Sequence, residues 1–130
     1  NSQGRVLLEK RRDNGYWGLP GGAVDVGESV SQAARREIWE ELGIELSAIE
    51  LLGVYSDPEA GNIVAYPDGN VFHCVTIHFM GIVADGSAIV PSSESLEVGW
   101  FSLDDLPQDV LPLHALWLEN MRNKPGLTIE

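Results

Sequence analysis

Residues 22–44 read G-A-V-D-V-G-E-S-V-S-Q-A-A-R-R-E-I-W-E-E-L-G-I. Val30, Ala34, Ile38 and Leu42 recur every four positions, the spacing of an apolar stripe along one side of an α-helix. Ser29 with Gln32 three residues on forms a capping box, and Gly43 supplies a left-handed stop, so the spacing predicts a helix from Ser29 to Leu42. On that helix Glu37, Glu40 and Glu41 stand at i, i+3 and i+4, within about a 100° arc beside the apolar line. Glu28 lies just before the helix and can fold towards the same patch.

Like charges this close cost a helix a few tenths of a kcal/mol per pair. They gain only if a cation neutralises them. Oxygen ligands without Cys or His favour Mg²⁺ or Mn²⁺ over zinc. A Mg²⁺ held by a few carboxylates keeps water positions open for substrate phosphates, as hydrolysis of a pyrophosphate requires. Arg36 is expected to pair with a carboxylate and orient it. Taken alone, E-x-x-E-E fits a solvated acidic helix face equally well; the flanking residues decide.

Working outward, Leu19–Gly22 (L-P-G-G) is a sharp loop that precludes helix. Arg5–Arg11 and Ile49–Tyr55 read as strands, with turn chemistry at Asp13–Gly15. Ser56–Asn70 reads as a long loop. Val71–Val83 reads as one strand, or two with a bend at Gly81. Asp85–Ser95 is a loop, Val98–Phe101 a short strand and Leu103–Leu106 a single turn. Val110–Arg122 reads as a closing helix, with Pro112 in its first turn. Strands outnumber helices, so the expected architecture is α/β, a mixed sheet covered by helices on its faces.

At 130 residues the chain is expected to form a single domain over 1–130. It begins almost directly on a strand, consistent with missing N-terminal residues. Twenty Asp and Glu against eight Lys and Arg give a net charge of −12, which argues against a nucleic-acid polymer as partner. No apolar run approaches the ~20 residues of a membrane span. The single cysteine, Cys74, cannot form an internal disulfide and reads as a buried thiol, in keeping with a cytoplasmic setting.

The same 23 residues match the Nudix box, G-x5-E-x7-R-E-U-x-E-E-x-G-U with U aliphatic, at every specified position. Gly22, Glu28, Arg36, Glu37, Ile38, Glu40, Glu41, Gly43 and Ile44 fill it in order. At average residue usage such a match arises by chance on the order of once in 10⁸ chains. The chain therefore resembles the Nudix hydrolase (MutT-like) family. W-G-L-P-G-G (Trp17–Gly22) and W-F-S-L-D-D-L-P (Trp100–Pro107) resemble the family's usual segments before the box and towards the C-terminus.

The resemblance implies an α/β/α sandwich with a central mixed sheet and a box built as loop–helix–loop. It implies that Glu37, Glu40 and Glu41 hold Mg²⁺ (or Mn²⁺), assisted by Glu28, and Gly22 is counted with them. The general base in this family varies between a box glutamate and one on a later loop, so Glu94 is a catalytic candidate, with Glu97 behind it. Arg11, Arg12, Gly21, Gly22 and Tyr66 are the substrate-binding candidates. The implied reaction is Mg²⁺-dependent hydrolysis of the pyrophosphate bond of a nucleoside diphosphate linked to another moiety. Tyr55–Pro58 with Tyr66–Asn70 resembles members grouped with ADP-ribose pyrophosphatases, so ADP-ribose or a nucleotide sugar is favoured. The alternatives are a house-cleaning nucleoside triphosphate pyrophosphohydrolase and a non-catalytic nucleotide sensor. A homodimer is compatible with an ADP-ribose-type member.

Other residues carry plainer expectations. Trp17 is expected under the L-P-G-G turn and Trp39 against a neighbouring loop. His73 and His78, an odd number apart, face opposite ways if one strand carries both.

Overall fold

The protein, described by a computed structural model, is traced over residues 1–123 and 126–130. Strand β1 (Val6–Arg11) opens the chain and is flanked by β2 (Trp17–Gly18) and β7 (Ser95–Phe101), both antiparallel to it. Its register against β7 shifts between Lys10 and Arg11, a bulge at the end nearest the box. A second sheet centres on β3 (Ile49–Tyr55), with β6 (Thr76–Gly81) antiparallel on one side and β8 (Thr128–Ile129) parallel on the other. A separate hairpin joins β4 (Ile63–Ala65) to β5 (Val71–His73). The expected α/β class holds. The mixed pairing is confined to the second sheet, and the first is antiparallel throughout.

Helix α1 (Val30–Leu42) starts as the sequence predicts. The Ser29 Oγ accepts the Gln32 amide at 3.2 Å and the Gln32 Oε1 accepts the Ser29 amide at 2.7 Å. Gly43 closes it at φ 66°, donating its N–H to the Trp39 carbonyl. The buried side differs by one position from the expected line, with Ala33 and Leu42 inside and Val30 exposed. Trp39 is 60% exposed rather than packed against a loop, because the helix turns its apolar stripe away from that position.

Helix α2 (Pro112–Asn123) starts two residues later than expected, at its proline, and sits against both sheets. Leu118 joins Leu8 and Trp17 in the core of the first sheet, and the Trp17 ring meets Phe101 edge-on at 4.9 Å. One residue earlier, Trp117 packs on Tyr55 of β3 and His78 of β6. Burying two aromatic side chains this way contributes several kcal/mol at ~25 cal/mol per Å².

Several boundaries move. The Ser56–Asn70 segment holds a 3₁₀ turn at Pro58–Ala60 and strand β4. The break in Val71–Val83 falls at Cys74–Val75, where Cys74 donates its amide to the buried Asn62, and not at Gly81. His73 and His78 consequently lie on different strands. Strand β7 begins at Ser95, three residues before the expected Val98, because backbone pairing with β1 extends past the apolar run. Cys74 is part-exposed rather than buried.

Candidate active site

The two sheets and both helices border a cavity of about 790 Å³. This lies within the size range of small-molecule sites. Glu9, Glu37, Glu41 and Glu94 line one side, with Arg11 and Arg12 near them and the Leu19–Gly22 loop between. His78, His114 and Trp117 supply an aromatic wall.

Arg36 organises the box. Its Nε and Nη2 grip both oxygens of Glu28, at 3.0 and 2.6 Å. Its Nη1 reaches Glu37 at 2.8 Å and Glu40 at 3.2 Å, and its Nη2 also donates to the Ala23 carbonyl at 2.9 Å. A planar five-donor fork suits such a hub where a lysine would not. The Arg36 guanidinium, helped by the Asp25 amide, holds the Glu28 carboxyl down to about 2. Arg36 in turn is held charged beyond its ordinary range, first by Glu28 and then by Glu37.

Glu41 faces inward and lies outside this hub. Its Oε2 accepts the Gly21 amide at 2.9 Å. Burial, and then the neighbouring Glu9 charge, pushes its carboxyl up to about 8. Gly22 lies against Glu37 so closely that any Cβ there would meet the carboxylate itself. That contact accounts for the glycine heading the box.

Glu94 reaches the site through two sets of backbone bonds. Val90 and Ser92 donate their amides to the carbonyls of Leu42 and Glu41 at the end of α1, at 2.8 and 2.9 Å. The Arg12 amide donates to the Glu94 carbonyl at 2.8 Å, and the Arg12 Nε donates to the Ser93 carbonyl at 2.7 Å. Glu97, paired in register with Lys10, does not line the cavity. Arg11 lines it with its fork closed on Asp13 at 2.7 Å. Tyr66 sits at the tip of the β4–β5 hairpin, edge-on to Phe72 at 5.3 Å, and is not a cavity-lining residue.

The sequence reading missed Glu9. It is 8% exposed in the middle of β1, accepts the Ser95 Oγ at 2.9 Å, and has its carboxyl raised by burial. The available signal was a charged residue inside the V-L-L-E-K-R strand. His78, His114 and Trp117 carried no signal, since two segments far apart in the chain, β6 and α2, bring them together.

The donor set fits a hard divalent cation. Glu9 and Glu41 are carboxylates withdrawn from water with no cation in contact, because Arg36 is engaged with Glu28, Glu37 and Glu40. Buried charges of that kind are ordinarily paired or metal-bound. Among the described residues no three acidic, histidine or cysteine side chains are already gathered into a finished ligand shell.

A model of the NUDIX domain matches residues 1–121. A putative 8-oxo-dGTP diphosphatase of Bacillus subtilis is 32% identical over 95% of this chain and 74% of its own length. An ADP-ribose pyrophosphatase of Methanocaldococcus jannaschii is 34% identical over 94% of this chain and 69% of its own. The chain thus spans about two thirds to three quarters of the length of these two curated relatives. The crystal structure of a MutT NUDIX hydrolase from Burkholderia pseudomallei superposes with a TM-score of 0.70 at 38% identity, covering 89% of this chain and 87% of that one. Box, cavity and comparisons agree: the chain belongs to the Nudix hydrolase family.

Proposed function

We propose that the chain hydrolyses the pyrophosphate bond of a nucleoside diphosphate linked to another moiety, with ADP-ribose or a related nucleotide sugar as first substrate. The observation that carries this reading is the placement of inward-facing carboxylates and two arginines around one cavity of about 790 Å³. The carboxylates suit a cation, the arginines suit phosphate oxygens, and the volume leaves room for groups on both sides of a pyrophosphate.

Nudix hydrolases generally use divalent metals, and Mg²⁺ or Mn²⁺ held by Glu37, Glu40 and Glu41 would neutralise charge developing on the phosphate oxygens. Glu28 and Arg36 keep the box carboxylates oriented, and the Gly21 amide fixes Glu41. Glu94 accepts the proton of the attacking water. Arg12, with part of its fork uncommitted, holds a substrate phosphate, and Arg11 does so after releasing Asp13. Water adds to one phosphorus and the bridging oxygen leaves on the other phosphate. ADP-ribose then yields AMP and ribose 5-phosphate. The M. jannaschii relative supports this choice, and Pro58 stands about fifteen residues beyond the box, as in ADP-ribose-type members.

A second reading, cleavage of a nucleoside triphosphate to a monophosphate and pyrophosphate, is favoured by the B. subtilis relative. A sensor without catalysis is disfavoured, since all four box glutamates are present. The test is product analysis on ADP-ribose, nucleotide sugars and triphosphates with Mg²⁺, beside a Glu41→Gln variant. AMP from ADP-ribose, reduced at least ~100-fold in the variant and abolished by EDTA, is expected. Near-normal turnover by Glu41→Gln would remove the metal assignment.

A further inference from the structure

His114 belongs to no box motif, yet its Nδ1 accepts the backbone N–H of Leu19 at 2.9 Å, across 95 residues of sequence. A ring nitrogen that accepts carries no proton, so this imidazole is the neutral Nε2–H tautomer. Leu19 opens the L-P-G-G loop. Two residues on, the Gly21 amide holds Glu41, and Gly22 leaves the space that Glu37 fills.

Up to Trp17 the approach to this loop is tied by backbone bonds, Trp17 N–H to the Asp109 carbonyl at 2.6 Å and Leu111 N–H to the Trp17 carbonyl at 2.9 Å. Beyond it the 19–22 backbone is held by the two side-chain bonds, to His114 and Glu41. Pro20 has no N–H to contribute. His114 is itself fixed, its ring 4.7 Å from Trp117, which packs edge-on against His78 at 4.3 Å. Gly18 makes room for it, since a Cβ there would come within 2.9 Å of the Nδ1.

We infer that His114 is a positioning residue of the active site, a clamp from α2 that sets the L-P-G-G loop and thereby the Gly21 amide on Glu41 and Gly22 beside Glu37. The part of this inference that concerns metal rests on the assignment of Glu37 and Glu41 proposed above; the clamp on the loop does not.

His114→Phe keeps a ring against Trp117 and removes the acceptor. His114→Asn places a side-chain oxygen on the same Cγ position as Nδ1. Three readouts apply: amide hydrogen exchange of Leu19 and Gly21 in metal-free protein, the Mn²⁺ dissociation constant from the spin-resonance signal of free Mn²⁺, and the split between kcat and KM. In His114→Phe both amides should exchange about tenfold faster. Mn²⁺ should bind on the order of tenfold more weakly, with kcat reduced and KM little changed. His114→Asn should restore most of each loss. Wild-type exchange and Mn²⁺ affinity in His114→Phe would overturn the inference, as would a folded His114→Asn that fails as fully as His114→Phe. If the wild-type protein takes up no Mn²⁺, the metal reading fails, and the Leu19 and Gly21 exchange rates still decide the clamp.

Discussion

Gly22→Ala separates the geometry of the site from the stability of the fold. The new Cβ would lie 2.8 Å from the Glu37 Oε2 and nearer still to the Oε1, where ordinary contact begins at 3.4 Å. Glu37 must therefore retreat by about 1 Å. It has little freedom to do so, being 16% exposed and bonded to Arg36 at 2.8 Å. A misplacement of that size at a reacting centre costs on the order of 10²-fold in rate. That corresponds to about 2.7 kcal/mol of lost transition-state stabilisation. Stability should move far less. Gly22 does not occupy the left-handed region, so alanine removes unfolded-chain entropy worth ~0.4–1 kcal/mol against the disturbed contact. The expected result is kcat reduced about 100-fold with Tm within about 5 °C of wild type. Turnover within threefold of wild type would refute the argument that this glycine exists to admit Glu37. A large fall in Tm would show instead that it serves the fold.

Glu94→Gln should lower kcat by about 100-fold, the scale of a lost general base, while Glu97→Gln, outside the cavity, should stay within about threefold; equal effects would dismiss Glu94 as the base. Acid should unfold the protein partly through His78 and His114. Burial holds both rings down to about 4, and at His114 the neighbouring His78 and Arg11 charges add to it. Both folded values lie below the unfolded ~6.5, so this stability is complete above about pH 6.5 and is lost as pH falls towards 4. Full burial would set ~3 kcal/mol per ring, and partial exposure reduces it to ~1–2 kcal/mol. Urea unfolding at pH 7.5 and 4.5 should show His78→Phe losing ~1 kcal/mol less than wild type across that range; an equal loss would count against the buried neutral ring.

The sequence by itself determined α1 and the spacing of its glutamates. Capping box, apolar spacing, glycine stop and three clustered glutamates all lie within 23 residues, and helical geometry is local enough to be read from spacing. That Arg36 would pair with a carboxylate was legible for the same reason, whereas its three partners, Glu28, Glu37 and Glu40, were given by the structure. The exact buried face was not, because which side of a helix goes inside depends on what it meets, and Ala33 replaced Ala34 there. The strands β1 and β3 were legible from apolar runs, whereas the extent of β7 and the break at Cys74–Val75 depended on partners far along the chain. The sequence already ranked Glu94 ahead of Glu97, but only the tertiary structure put Glu94 on the cavity and left Glu97 off it, through bonds from Val90 and Ser92 to the end of α1. Only it placed Glu9 beside Glu41 and carried His114 to Leu19. These are contacts between segments tens of residues apart, and the free energy that selects them comes from packing two sheets and two helices, which no local pattern encodes.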